Sequence, residues 1–379
     1  MAKKDSAKSI AIKRGKVDIV FLGLVLTLLT VGLVMLFSSS YAYSYTYYGT
    51  SYRFIIRQAA FAVVGLGAMF VCSRIPYHFW RKMSWIIYAI ALGLLAFLLA
   101  VPPMLKGMDV KRWFAIGSFS FQPSEIAKFA VIVLFSHLIS INYKQMDKFR
   151  VIAFLVILLA VPCILVVLEP HLSATLLIFI IGVVLMIIGG LKWPYIVGGL
   201  GIGAVGAAVA MLTGIVGYGS DRIKYWLDPW ADPLDKGFQT IQSLLAIGSG
   251  GLMGKGLGKS IQKQLWVPEP HNDFIFSIVC EELGVIGATI IVLLFCALVW
   301  RGFTIAMKST DKFGCFMAVG LSFQVGLQAI LNILVVTNTI PNTGISLPFF
   351  SYGGTSLVLL LAQMGIVLSV SRESNLQKV

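Results

Sequence analysis

An all-α polytopic membrane protein of about ten transmembrane helices, with one long extracellular loop between the seventh and the eighth, is the architecture this sequence predicts. Three observations predict it. Of 379 residues, 58% are apolar and 12% charged, and the mean hydropathy is +0.89, which is more apolar surface than a soluble core of this size buries. Apolar runs of about 20 residues, enough to cross roughly 30 Å of hydrocarbon, recur along the chain. Lys and Arg gather in alternate connections, the asymmetry that retains a loop in the cytoplasm.

Residues 1–16 form a cytoplasmic tail carrying Lys3, Lys4, Lys8, Lys13, Arg14 and Lys16. The first run, 17–37, is too long for a signal peptide and lacks a small-residue cleavage site after it, so it reads as the first helix. Runs 54–72, 84–101, 124–141, 151–168, 172–191 and 194–216 follow. The last of these carries Gly198, Gly199, Gly201, Gly203 and Gly206, spacings that let helices approach closely. Residues 217–272 form the long loop, and runs 273–300, 313–336 and 345–370 complete a ten-helix domain over 17–370, ahead of a short cytoplasmic tail, 371–379. With the N-terminus inside, about 18 basic residues fall on the cytoplasmic side, including Arg74, Arg81, Lys144, Lys192, Arg301 and Arg372. Topology and anionic lipid therefore account for most of the +14 net charge, and nucleic acid is not the implied partner. The five cysteines have neither metal-ligand nor redox spacing and read as packing residues.

The long loop is where function is expected. Trp226, Trp230 and Trp266, with Arg222, Lys224, Lys255, Lys259 and Lys263, suit a segment lying along the outer membrane surface. Its stretch 248–260, GSGGLMGKGLGKS, ends like a phosphate-binding loop, but Met253 stands where the first glycine is required. A nucleotide site is rejected in favour of a flexible glycine-rich turn, with anion contacts from its N–H groups and lysines as the lesser alternative.

Ionisable residues in apolar runs are functional candidates, because hydrocarbon makes them expensive. Glu125 and Lys128, at i and i+3 after Gln122-Pro123-Ser124, read either as an intrahelical ion pair or as a substrate-contacting pair. Glu281 and Glu282 lie eight and nine residues beyond Asp273, roughly 12–13 Å along the helix, out of its reach. Gln324, Gln328 and Asn332 form one stripe expected to hydrogen-bond neighbouring helices. Asp273 opens the eighth run after Pro268-Glu269-Pro270-His271-Asn272. It reads as a helix N-cap or as a general base whose pKa the membrane boundary raises. Glu125, Glu169 with His171, Asp273 and Ser351-Tyr352-Gly353-Gly354 all fall on the outer ends of helices, so one face collects four motifs.

At these residues the chain resembles the SEDS family (shape, elongation, division and sporulation), polytopic proteins that include FtsW, RodA and SpoVE. The matching segments are Arg112-Trp113, Gln122 to Lys128, Asp228-Pro229-Trp230, Gly237-Phe238-Gln239, Gln242-Ser243, Leu257-Gly258, Pro268 to Phe276, Glu281 to Gly284, and Pro341 through Ser351 to Gly354. The phrases around Gly237 and Pro268 sit closer to the FtsW and SpoVE branch than to RodA. Helix six departs from the pattern: His171 follows Pro170 where the family often has Asp, and Asn338 stands where Gly is common.

The resemblance implies an inverting peptidoglycan glycosyltransferase at the outer face of the bacterial cytoplasmic membrane. It would polymerise lipid II onto a glycan chain carried on undecaprenyl pyrophosphate, in division or sporulation. Asp273 is then the catalytic base. The substrate-contacting set is Glu125, Lys128, Arg112, Arg222, Gln239, Lys255, Lys259, His271 and Ser351. No protein ligand cluster for a metal is visible, although a divalent cation, Mg or Mn, could sit on the pyrophosphate. A class B penicillin-binding protein transpeptidase is the implied partner. The rival readings are a lipid II flippase, which needs a polar route through the midplane, and a non-catalytic scaffold for the transpeptidase.

Overall fold

The computed structural model describes residues 15–101, 112–116, 119–195, 198 and 217–374. Its helices are α1 Ile19–Tyr48, α2 Arg53–Arg74, α3 His78–Ala100, α4 Pro123–Asn142, α5 Phe149–Leu168, α6 Leu172–Ile188, α7 Gly217–Leu227, α8 Phe238–Gly250, α9 Ile275–Met307, α10 Lys312–Val336 and α11 Gly354–Ser374. A short antiparallel hairpin, β1 Phe114–Ile116 with β2 Phe119–Phe121, precedes α4. Among the described residues eight helices are long and apolar enough to span a membrane, and α6 is a shorter apolar one. Nine of the ten expected runs thus hold a helix, and the all-α polytopic class stands. The seventh run, 194–216, lies outside the described residues except for 194, 195 and 198.

The ends of these helices follow from local chemistry. Asp18 accepts from the Phe21 amide as the N-cap of α1, and its carboxylate also takes the Arg301 guanidinium at 2.7 Å. Asp311 caps α10 through the Gly314 amide while accepting from the Tyr77 hydroxyl. Pro123 at the first position of α4, with Glu125 in its first turn, is the expected start of that helix. Gly49 closes α1 in the left-handed region at φ 70°.

Helices α4, α10 and α11 form the centre, each with 67% of its most apolar stretch buried, against 28% for α2, α3 and α9. Ile132 and Phe135 of α4, Met317 and Leu321 of α10, and Leu361 and Met364 of α11 are sealed from solvent. The outer helices keep apolar side chains such as Val63, Ile90 and Ile157 facing outward, as a bilayer solvent requires.

Three boundaries differ from expectation. Helix α1 runs eleven residues past Phe37, because its last turns, Ser38 to Tyr48, are helical without being apolar. At 30 and 33 residues, α1 and α9 are about 45 and 50 Å long and outreach the hydrocarbon. Helix α9 starts at Ile275 with Phe274 before it, so Asp273 is not its N-cap. The tenth run becomes helical only at Gly354: Pro348 and the left-handed Phe349 (φ 67°) keep the preceding segment extended. That segment folds inward, and Gly32 of α1 is bare so that the Phe349 carbonyl can lie against it.

Helix α9 is also broken. Gly284 sits at φ 67°, ψ −172°, and chain from the long loop fills the gap. Lys255 and Gly256 amides donate to the carbonyls of Glu281 and Glu282, while Val285 and Ile286 amides donate to Gly251 and Leu252. A methyl on Gly254 or Gly284 would strike backbone here, so both glycines are dictated by contact as well as by φ.

Candidate active site

Asp273 ends the long loop, just before α9, and its position is held through its backbone. Asn332 of α10 donates to the Asp273 carbonyl at 2.7 Å and to the Ile345 carbonyl at 2.6 Å. One residue earlier, Ser351 donates to the Asn272 carbonyl while accepting from the Leu347 amide, and Tyr352 donates to the His271 carbonyl. The carboxylate itself accepts no hydrogen bond among the described residues. Gly344, left-handed at φ 71°, faces it, and even a methyl there would lie 3.3 Å from Oδ2. The acid is partly exposed.

Dry surroundings, reinforced by the charge of Glu269 and opposed by Arg112, push the Asp273 carboxyl up to about 6. Arg112 enters from the segment before β1 and donates to the Pro170 carbonyl in the α5–α6 turn. Its charge also bears on Glu169 and His171, so all four groups share one electrostatic pocket. His171, hydrogen-bonded by Gln122, is driven down to about 3 by burial and by Arg112, Lys128 and Arg222, and is neutral. Lys128, 1% exposed, pairs with Glu125 at 2.7 Å.

The far wall is the segment after α10. Arg222 of α7 donates to the Asn342 carbonyl at 2.8 Å, the Asn342 amide donates to Gln239 of α8, and Gln239 donates to the Pro268 carbonyl. Trp226 and Asn338 exchange hydrogen bonds between side chain and backbone. Asn338 adopts φ 55°, a conformation Asn tolerates better than other non-glycine residues, which explains how it replaces glycine there.

The glycine-rich stretch does bind anions, and the anions belong to the protein. Glu282 accepts from Ser38 of α1 at 2.7 Å, from the Lys263 ammonium at 2.7 Å and from the Gly258 and Ser260 amides. Glu281 accepts from Lys255 at 2.6 Å, from Ser249 and Ser260, and from the Ile261 and Gln262 amides. Both carboxylates are fully buried.

Of the residues named from the sequence, Asp273, Arg112, Arg222, Gln239, Glu125 and Lys128 come together at this end. Lys255 is engaged by Glu281, and Lys259 is exposed on the same loop. His271 packs among Tyr43, Phe54 and Tyr352, with ring centroids 4.9, 4.2 and 6.0 Å away. Burial lowers it to about 4. It and Ser351 support the chain that carries Asp273. Sequence reasoning placed Glu169 with His171 on this face and Gln122 in the helix-four motif without giving either a site role, and it passed over Asn342.

Comparison with known proteins places the chain in a family. Residues 19–376 match the cell cycle protein family FtsW/RodA/SpoVE. Stage V sporulation protein E of Bacillus subtilis is 39% identical over 371 residues, 96% of this chain and 99% of that one. The probable peptidoglycan glycosyltransferase FtsW of Geobacter sulfurreducens is 38% identical over 360 residues, 93% and 95% of the two chains. Among solved structures, a chain of a peptidoglycan synthase complex that coordinates polymerization and crosslinking superposes with a TM-score of 0.78 at 28% identity, covering 94% of this chain and 98% of that one. The rod shape determining protein RodA of Thermus thermophilus superposes with 0.69 at 26% identity, covering 94% and 97%. With a profile spanning nearly its whole length and relatives this similar end to end, the chain belongs to the FtsW/RodA/SpoVE family of cell cycle proteins.

Proposed function

We propose that this protein is an inverting glycosyltransferase that polymerises lipid II at the outer face of the cytoplasmic membrane, with both termini in the cytoplasm and the Asp273 end outside. The observation that carries the reading is the Asp273 carboxylate: unpaired, partly exposed, and pushed up to about 6. At neutral pH such a group is mostly ionised yet basic enough to take a proton from a sugar hydroxyl. In the reaction, the acceptor 4-hydroxyl attacks the anomeric carbon of the lipid-linked chain, Asp273 removes its proton, and undecaprenyl pyrophosphate leaves from the opposite face.

Positive charge for the leaving group comes from Arg112 and Arg222, whose fields already converge on His171. Among the described residues no group of three or more His, Cys, Asp or Glu side chains is arranged to hold a metal. A magnesium or manganese ion on the pyrophosphate would therefore be held chiefly by phosphate oxygens, and no step is routed through it. The exposed apolar tips Leu252, Met253, Leu257 and Trp266 suit immersion of the loop in the outer leaflet. A class B penicillin-binding protein is the proposed partner.

One observation favours a flippase: a small recess lined by Glu125, Gln324, Gln328, Ser351 and Gln363. Below it, Met317 and Leu321 of α10 and Val131 and Leu134 of α4 are fully buried apolar side chains, and the polar stripe stops. Purified protein with its partner and labelled lipid II decides the matter. Glycan polymer that disappears in Asp273→Ala is the expected result. Transfer of lipid II across vesicles without polymer would establish transport instead.

A further inference from the structure

Buried carboxylates ordinarily spend their oxygens on donors, as Glu281 and Glu282 do; Glu169 does not. Its side chain is 1% exposed, and neither oxygen has a hydrogen-bond partner among the described residues. The buried Nε of Arg112 and the hydroxyl of Thr343 also lack one. These groups are neighbours by construction. Arg112 donates to Pro170, the residue after Glu169, and Ser173 in the first turn of α6 donates to the Thr343 carbonyl. A buried polar group without a partner is costly, and a set of them in one wall marks a place that a ligand completes.

We infer that Glu169 in its protonated form and Arg112 together contact one oxyanion of the substrate, a phosphate oxygen of the lipid pyrophosphate that departs. The inference rests on the reaction proposed above. An ionised carboxylate would repel a phosphate, whereas a carboxylic acid donates its O–H to it and the guanidinium supplies charge and a second donor. Burial holds Glu169 at about 8 even against Arg112, so it keeps its proton at neutral pH while Asp273, at about 6, has lost its own. Two acids of one pocket held at different values take different roles.

The other charged or titratable groups facing this pocket are Lys128 with Glu125 from α4, Arg222 from α7, neutral His171 from α6, and Asp273 with Glu269 ahead of α9. Glu169 neither gains nor loses a proton in the step. The anomeric C–O bond breaks, its electron pair passes to the phosphate oxygen, and the Glu169 O–H and Arg112 N–H share that charge. The proton of the attacking hydroxyl goes to Asp273.

The test is polymerisation of labelled lipid II by the full chain with its partner between pH 6 and 9.5, for wild type, Glu169→Gln and Glu169→Leu. Alongside it, lipid II binding is measured in micelles with each form carrying Asp273→Asn, so that nothing turns over. Wild-type rate and affinity should both fall as the pH rises through about 8. Glu169→Gln, which keeps a neutral N–H donor, should lose that fall, and Glu169→Leu should bind lipid II about tenfold more weakly than Glu169→Gln at pH 7. An alkaline fall unchanged in Glu169→Gln, or equal affinities of the Gln and Leu forms, would overturn the contact. A wild type that binds lipid II with this Glu169-dependent pH profile yet makes no polymer removes the reaction and keeps the contact.

Discussion

Asp273 and Glu282 are nine residues apart on one stretch of chain, and the fold treats them in opposite ways. Around Glu281 and Glu282 it assembles two lysines, three serines and four backbone amides, until every carboxylate oxygen is occupied. Around Asp273 and Glu169 it leaves the carboxylate oxygens without hydrogen-bond donors among the described residues, with Arg112 as the positive charge bearing on both. The first cluster is a joint: it fastens the long loop to α9 and α1 and bridges the break at Gly284. The second is chemically unfinished. Carboxylates saturated by their own protein have nothing left for a substrate, so filled oxygens at the first cluster signal construction and unfilled ones at the second signal function.

Substitutions should separate the two clusters cleanly. The largest effect expected is on activity alone: Asp273→Asn should lower polymerisation by about 10²–10⁴-fold while the protein still folds and holds its partner. Stability should even rise. The folded carboxyl is raised above its ordinary value of 3.8, so ionising it costs folding free energy that appears between about pH 4 and 6 and is complete above that. Asp273→Asn should therefore raise the melting temperature in micelles at pH 7.5 and lose that advantage near pH 4. A fall in melting temperature at pH 7.5 would place Asp273 in the structural cluster. By the same titration, wild-type turnover should drop as the pH falls through about 6.

Glu282→Ala should do the reverse, costing about 3–5 kcal/mol of stability by leaving Lys263 buried without its counter-charge. Any activity that survives in a stabilised background should keep the wild-type pH profile. Gly284→Ala comes next, at roughly 1–3 kcal/mol, because an alanine there is strained at φ 67° and meets the backbone of Leu252 and Gly254. Lys255→Met should be mildest, within about 1–2 kcal/mol, since Lys255 is 28% exposed and Glu281 keeps its serine and amide donors. A Lys255→Met protein that folds normally but loses polymerisation outright would return that lysine to the substrate.

Hydropathy read the spans well because the bilayer demands continuous apolar surface from any helix it contacts. It misplaced the end of α1, where Ser38, Ser39, Ser40 and Ser44 are buried against protein and the criterion no longer applies. It also took 345–353 for helix, since an extended segment folded into a bundle is as apolar as a helix in lipid. The glycine-rich loop reads from its sequence chiefly as a flexible turn, with anion contact by its amides and lysines only the lesser alternative. Its anion was not legible, because Glu281 and Glu282 meet residues about 20 positions away only after α9 breaks.

What the sequence alone determined is the membrane, the helical class, the end of the bundle where polar motifs gather, and Asp273 as its sharpest residue. All four follow from composition and local pattern, which the solvent and the helix period impose residue by residue. Only the tertiary structure decided which charges are spoken for: Lys255 and Lys263 held by their glutamates, Asp273 and Glu169 left open. Whether a carboxylate is satisfied depends on donors brought from distant segments, and one chain position carries no record of what the fold will set beside it.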